Sequence, residues 1–247
     1  MVGDSPSFQA QPWDSEATLL DYIEQALTMF SRRPAYTQQG KTLTYLQMIK
    51  LSRSVAAYLQ QYPGLEPGDR VAIQLPNTLL YPVIAWGVLQ AGMVIVNTNP
   101  QYTERETMKQ LQDADVRAWF CSDISAHLIY KVRPRLNTKL IVVCRIWDLH
   151  PWAPRNIYQL VLKYSKQAIR PYRSQGTVPF RKLLNKRMAR RWKRPDVGPH
   201  TLAMLQYTGG STGTHKGAML SHGNLVANLE QVSQFLSRSI SRGEDIV

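Results

Sequence analysis

The sequence predicts an α/β fold made of doubly wound layers of parallel strands and helices. Short apolar runs of strand length alternate with amphipathic stretches of helix length from Arg70 to Cys144. The connections between them are short, which favours parallel strands joined by right-handed crossovers. Between Val71 and Thr103 no charged residue occurs, as expected where two strands and a helix are buried on all sides.

Asp14 or Ser15 is placed to cap a first helix, along which Leu19, Leu20, Ile23, Leu27 and Phe30 follow helical spacing as far as Arg32-Arg33-Pro34. Ala35 to Thr37, the turn Gln39-Gly40 and Lys41 to Thr44 read as a strand pair. Thr44 with Gln47 forms a capping box for the next helix, which carries Tyr45, Met48, Ile49, Val55, Ala56 and Leu59 on one face. Pro67-Gly68-Asp69 turns the chain into a strand from Arg70 to Leu75. Asn77 or Thr78 is positioned to cap an apolar helix from Leu79 to Ala91, closed by Gly92 and followed by a strand from Met93 to Val96. Thr103 with Glu106 is a second capping box, opening a helix to Asp113. A strand from Val116 to Cys121, a helix from Ser125 and a strand from Lys139 to Cys144 continue the alternation. The uncharged run is long enough to raise a membrane span. Pro76, Pro82, Gly87 and Gly92 interrupt it and Gln74 and Gln90 lie inside it, so strand, helix and strand account for it better.

Hydrophobic residues make up 44% of the 247 and charged residues 19%, which excludes a chain disordered throughout. Cys121 and Cys144, the only cysteines, each end an apolar run and read as buried free thiols in a reducing, cytoplasmic compartment. Met1 to Pro12 has neither the basic nor the apolar region of a secretory signal. The five histidines are scattered, so no metal site is expected within the chain.

Composition divides the chain into an α/β part over 1–146, a basic, partly helical connector over 147–200, and a segment over 201–247 that opens a second α/β subdomain. The window 161–200 holds twelve Lys or Arg against Asp196 alone, in a chain of net charge +13. Ile157, Leu160, Val161, Tyr164 and Ala168 share one helical face, and Leu184, Met188 and Trp192 recur every four residues. A solvated connector fits these facts, and so does an amphipathic segment over 155–194 lying on an anionic surface at the inner face of a membrane. A nucleic-acid-binding protein, with Tyr172 and Trp192 interleaved among the basic residues, is the less favoured alternative.

The chemistry concentrates after the apolar run Leu202 to Leu205. Thr208-Gly209-Gly210-Ser211-Thr212-Gly213-Thr214-His215-Lys216-Gly217 contains four glycines, four hydroxyl side chains and one lysine. Glycines let backbone N–H groups approach phosphate oxygens closely, hydroxyls add donors, and the lysine adds a mobile positive charge. A Walker loop requires glycine before the lysine and Ser or Thr after it, where His215 and Gly217 stand. The dinucleotide fingerprint fails on the spacing of Gly209, Gly210 and Gly213.

This stretch resembles the phosphate-loop signature of the adenylate-forming superfamily, Tyr-Thr-Ser-Gly-Thr-Thr-Gly-x-Pro-Lys-Gly. Tyr207, Thr208, Gly210, Thr212, Gly213, Lys216 and Gly217 match it and Ser211 is a conservative change, whereas Gly209 replaces serine and His215 replaces proline. With the Ala-Met-Leu-Ser-His-Gly-Asn-Leu-Val-Ala-Asn that follows, the chain looks most like the amino-terminal part of bacterial long-chain fatty acyl-CoA synthetases. Leu43-Thr44-Tyr45, Pro67-Gly68-Asp69-Arg70-Val71-Ala72, Leu75-Pro76-Asn77 and Val96-Asn97-Thr98-Asn99-Pro100 resemble the same family.

The resemblance implies ATP-dependent conversion of a fatty acid to an acyl-adenylate and then to acyl-CoA, with ATP, Mg2+ and CoA as small-molecule partners. It implies that the loop holds the β- and γ-phosphates through Thr208, Ser211, Thr212, Thr214 and Lys216, with Gly209, Gly210, Gly213 and Gly217 shaping the backbone. Lys216 is then the catalytic residue, offsetting charge on the departing pyrophosphate. The family's magnesium-serving Thr-Glu pair, ribose-binding aspartate and mobile carboxy-terminal lysine are expected beyond Val247, so the chain by itself is expected to be inactive. A non-catalytic, synthetase-like protein at the membrane is the alternative. Ser221 is placed to cap a helix along Leu225, Val226, Leu229, Val232 and Phe235, and His222 beside it reads as structural rather than as a base.

Overall fold

The computed structural model describes residues 16–151, 157, 160, 171–172, 174–208 and 216–236. Helix α1 (Leu19–Phe30) leads into an antiparallel hairpin of β1 (Pro34–Gln38) and β2 (Lys41–Thr44). Gln39 and Gly40 turn it with φ of 44° and 77°, the left-handed pair that matches the twist of a two-residue hairpin. Next come α2 (Tyr45–Gln61), β3 (Arg70–Gln74), α3 (Leu80–Gln90), β4 (Val94–Asn97), α4 (Glu104–Asp113) and β5 (Val116–Ser122). After them lie α5 (Ile129–Val132), β6 (Leu140–Cys144), β7 (Val178–Pro179), α6 (Lys186–Ala189), β8 (Leu202–Thr208), β9 (Lys216–Ser221) and α7 (His222–Leu236).

Seven strands form one sheet in the order β7-β6-β5-β3-β4-β8-β9, parallel throughout except for β9, which runs antiparallel to β8 at the edge. The chain steps from β3 to β4 on one side and then returns to place β5 on the other side of β3, so the sheet is doubly wound as the alternation predicts. Period-two burial builds both layers. Val71, Ile73, Phe120, Leu140 and Val142 face α2 and α3, whereas Ala72, Val96, Trp119, Cys121, Ile141 and Val143 share a second cluster with Leu111 of α4 and Ile129 and Val132 of α5. With both faces covered, a charged side chain has nowhere to go, which accounts for the uncharged run.

The capping boxes at Thr44 with Gln47 and Thr103 with Glu106 form as expected. Several local expectations are corrected. The first helix is capped by Thr18 in a capping box with Asp21, and Asp14 and Ser15 lie outside the described residues. Neither Asn77 nor Thr78 caps α3 with its side chain; instead Gln38 of β1 accepts a hydrogen bond from the Leu79 N–H at 3.1 Å. The element after Ser125 is a 3₁₀ turn, one α turn and a second 3₁₀ turn, with Pro134 in the last of them.

Among the described residues of the basic stretch, those from Val178 to Trp192 are tied to the core at several points. Phe180 and Leu183 are fully buried, and Leu184 and Trp192 pack beside them. The Trp192 indole N–H donates to the Gln90 carbonyl at 2.7 Å, and the Arg53 guanidinium lies 4.3 Å from the ring centroid. The four-residue recurrence of Leu184, Met188 and Trp192 is therefore not one face of a continuous helix, since α6 contains only Met188 of the three. Of the other stripe, Ile157 and Leu160 are exposed, whereas Val161, Tyr164 and Ala168 lie outside the described residues.

Helices α2 and α3 approach closely at Gly87, where an added Cβ would stand 2.7 Å from the Val55 side chain and 3.0 Å from the Ser52 carbonyl oxygen. Gly87→Ala gains about 1 kcal/mol of helix propensity. Neither the Val55 Cβ nor a helix carbonyl can retreat freely, and overpacking costs about 1–3 kcal/mol. The expected net result is a lower urea midpoint, and an unchanged or raised midpoint would show that the two helices separate without penalty.

Candidate functional site

Strands β8 and β9 form a hairpin stem with Leu205 opposite Met219, Gln206 opposite Ala218, Tyr207 opposite Gly217 and Thr208 opposite Lys216. Thr208 and Lys216, both exposed, thus face each other at the mouth of the connection 209–215. Gly209, Gly210, Ser211, Thr212, Gly213 and Thr214, together with His215, lie outside the described residues. Lys216 forms no ion pair with a described residue.

The stem is placed by its parallel pairing to β4, Ile95 with Met204 and Val96 with Leu205. Its open end therefore emerges at the same edge as the carboxyl ends of β3, β4 and β5, the edge at which doubly wound sheets bind ligands. Uncharged polar residues collect there. Asn97 at the end of β4 donates from Nδ2 to Gln206 Oε1 at 2.9 Å, and its Oδ1 accepts from the Tyr81 hydroxyl at 2.8 Å. Gln110 of α4 donates to the Asn97 carbonyl at 2.8 Å. Gln74 at the end of β3 donates to the Asn99 carbonyl and to Thr107 Oγ1, and accepts from the Trp119 indole N–H.

On the opposite face of β8, the Tyr207 hydroxyl donates to Asp113 Oδ2 at 2.6 Å. Burial, and then the neighbouring Asp113 carboxylate, push the Tyr207 pKa well above its ordinary value. Gly217 does not have a left-handed φ. An added Cβ there would lie 3.1 Å from the Tyr207 ring, so this glycine makes room for an aromatic face instead of supplying an unusual backbone shape.

These partners extend the sequence reading. Asn97 sits in a stretch that by itself suggests a polar turn, and Gln206 and Asp113 carry no motif. The signal available was an uncharged polar residue at or near the carboxyl end of four parallel strands, Gln74 of β3, Asn97 of β4, Ser122 of β5 and Gln206 of β8.

Residues 23–247 match the protein family described as AMP-binding enzyme. The chain belongs to that family. Over 234 residues it is 38% identical to the long-chain-fatty-acid–CoA ligase of Escherichia coli, covering 95% of this chain and 42% of that protein. It is 40% identical over 214 residues to the Haemophilus influenzae ligase of the same name, covering 87% of this chain and 38% of the relative. The chain thus spans about two fifths of the length of the curated relatives it matches. ATP-bound MatB from Rhodopseudomonas palustris superposes with a TM-score of 0.67 at 22% identity, over 90% of this chain and 38% of its own. The anthranilate CoA ligase AuaEII in complex with anthranoyl-AMP gives a TM-score of 0.67 at 17% identity, over 87% and 36% of the two chains. At these identities the structural likeness establishes that the family's fold is shared.

His222, at the start of α7, is buried, and its backbone N–H donates to the Thr201 carbonyl at 3.0 Å. Its Nδ1 finds no hydrogen-bond partner among the described residues. Ser221 caps the helix, its Oγ accepting from the Asn224 N–H at 3.2 Å. Burial lowers the His222 pKa, with Asp21 opposing weakly. A histidine held neutral by burial leaves the unfolded chain binding more protons below its unfolded pKa of about 6.5. Stability is fully present above that pH and is lost as pH falls from there toward the folded pKa. His222→Gln is expected to flatten the fall in urea midpoint between about pH 7.5 and pH 5.5; an identical slope in the variant would remove His222 from the pH response.

Proposed function

We propose that this chain supplies the phosphate-binding part of an ATP-dependent fatty acid–CoA ligase. The observation that carries the reading is the stem register, which sets the Thr208 hydroxyl and the Lys216 cation opposite each other on either side of a connection rich in glycine and hydroxyls. Family membership and identity to long-chain-fatty-acid–CoA ligases support the same chemistry.

In this reading Thr208, Ser211, Thr212, Thr214 and Lys216 hold the β- and γ-phosphates of ATP, with Gly209, Gly210 and Gly213 letting the backbone approach. A fatty acid carboxylate oxygen attacks the α-phosphorus, forming the acyl-adenylate and breaking the bond to pyrophosphate; the CoA thiol then displaces AMP to give the thioester. Lys216 stabilises the negative charge that builds up on pyrophosphate as it leaves. An exposed lysine committed to no acid among the described residues suits this role.

Two buried free thiols, Cys121 and Cys144, support placement in a reducing, cytoplasmic compartment. The anionic-surface reading of 155–194 now rests on charge and on the exposed Ile157 and Leu160, because Leu184 and Trp192 are taken up by the core. No described helix is long and apolar enough to cross a membrane.

The deciding experiment is calorimetric titration of the chain with ATP and with inorganic pyrophosphate. Lys216→Ala is expected to weaken both by about tenfold or more, the order of one charge-assisted hydrogen bond. Equal affinities in variant and wild type would overturn the assignment.

A further inference from the structure

We infer that Tyr207 and Asp113 are positioning residues for the phosphate-binding hairpin: a single side chain fixes both arms of the stem to helix α4. The inference rests on the phosphate reading of that hairpin and extends it to residues that do not touch phosphate.

Tyr207 stands immediately before Thr208 on β8, and its register partner Gly217 immediately follows Lys216 on β9. The aromatic ring lies beside Gly217, closer than a side chain there would comfortably allow. The hydroxyl at the far end of the same ring reaches Asp113 in the last turn of α4 at 2.6 Å. The ring therefore holds the β9 arm by contact, while the hydroxyl holds the β8 arm to the helix layer. Neighbouring side chains of a strand point to opposite faces. Gln206, one residue earlier, accordingly bonds to Asn97 and through it to Tyr81 of α3. The end of β8 is thus fastened to α3 on one face of the sheet and to α4 on the other.

The parallel pairing to β4 stops at Leu205. Beyond it, the ladder to β9 and these side-chain ties are what set Thr208 and Lys216 relative to the rest of the sheet. A phosphate-binding group displaced by a fraction of an ångström loses hydrogen-bond geometry steeply. Tyr207 and Asp113 therefore act on ligand affinity through Thr208 and Lys216, without contacting the ligand.

The test is titration of the full 247-residue chain with inorganic pyrophosphate, alongside thermal unfolding of each variant. Tyr207→Phe and Asp113→Ala are each expected to weaken binding about fivefold, the effect of one partly exposed hydrogen bond. The double variant should lose no more than either single one. Asp113→Asn should recover most of the affinity, because its amide oxygen still accepts from the hydroxyl. Gly217→Ala, which pushes on the ring, should weaken binding without removing any polar group. Lys216→Ala serves as the control for the phosphate reading. If Lys216→Ala weakens binding while Tyr207→Phe and Asp113→Ala do not, the positioning role is overturned and the phosphate reading stands. If Tyr207→Phe lowers the unfolding temperature with affinity unchanged, the bond is merely structural and the proposal is again overturned. If Lys216→Ala binds as wild type does, the phosphate reading fails and this inference fails with it. Should Tyr207→Phe not fold, Asp113→Ala decides the question, since it removes the acceptor and leaves the ring in place.

Discussion

Burial of both faces of the parallel strands is the constraint from which the remaining architecture follows. A sheet whose alternate side chains are Val71 and Ile73 on one side and Ala72 on the other must be covered twice. Parallel strands need crossovers, and right-handed crossovers that cover both faces have to leave the central strand in opposite directions. That winding aligns the carboxyl ends of β3, β4, β5 and β8 along one edge. Chain leaving any of these strands enters the same space. The hairpin of β8 and β9 stands there because β8 pairs with β4, and Thr208 and Lys216 inherit their location from a packing requirement of residues far from them in sequence.

The elements whose signals are local were legible. Capping boxes at Thr44 and Thr103 need only residues three apart. The turn at Gln39-Gly40 and the alternation in β3 and β5 are likewise contained within a few residues. What escaped the sequence reading depends on partners distant along the chain. The start of α3 is met by Gln38 of a hairpin about forty residues earlier, so neither nearby candidate was needed. The recurrence of Leu184, Met188 and Trp192 has helical spacing, yet Trp192 is held by Gln90 and Arg53, about a hundred residues or more upstream. Spacing alone cannot distinguish a helical stripe from residues that reach the core one at a time along an irregular path.

The same division runs through the candidate site. Thr208 and Lys216 follow from the composition of one short stretch, because phosphate chemistry needs hydroxyls, glycine and positive charge close together. Asn97, Asp113, Gln206 and the ring contact between Tyr207 and Gly217 belong to four different strands and helices. An amide or a carboxylate at the end of an element has many uses, and only the fold reveals which neighbour it serves. Gly217 shows the limit in another way: the sequence reading gave it a backbone role, whereas an aromatic face lies where its side chain would have been.

Residues 181–194 contain eight Lys or Arg, an abundance of recognition points for a trypsin-like protease. Their backbone is nevertheless restrained: Phe180 and Leu183 are buried, Gln60 bonds to both the N–H and the carbonyl of Lys193, and Arg194 pairs with Asp21 and Glu24 of α1. A protease must draw several residues into extended form before it can cut, so hydrolysis here waits on release of these ties. Cleavage within this stretch would therefore report detachment of a whole segment from α1, α2 and α3, and its rate would measure how firmly the amino-terminal helix is held to the body of the domain.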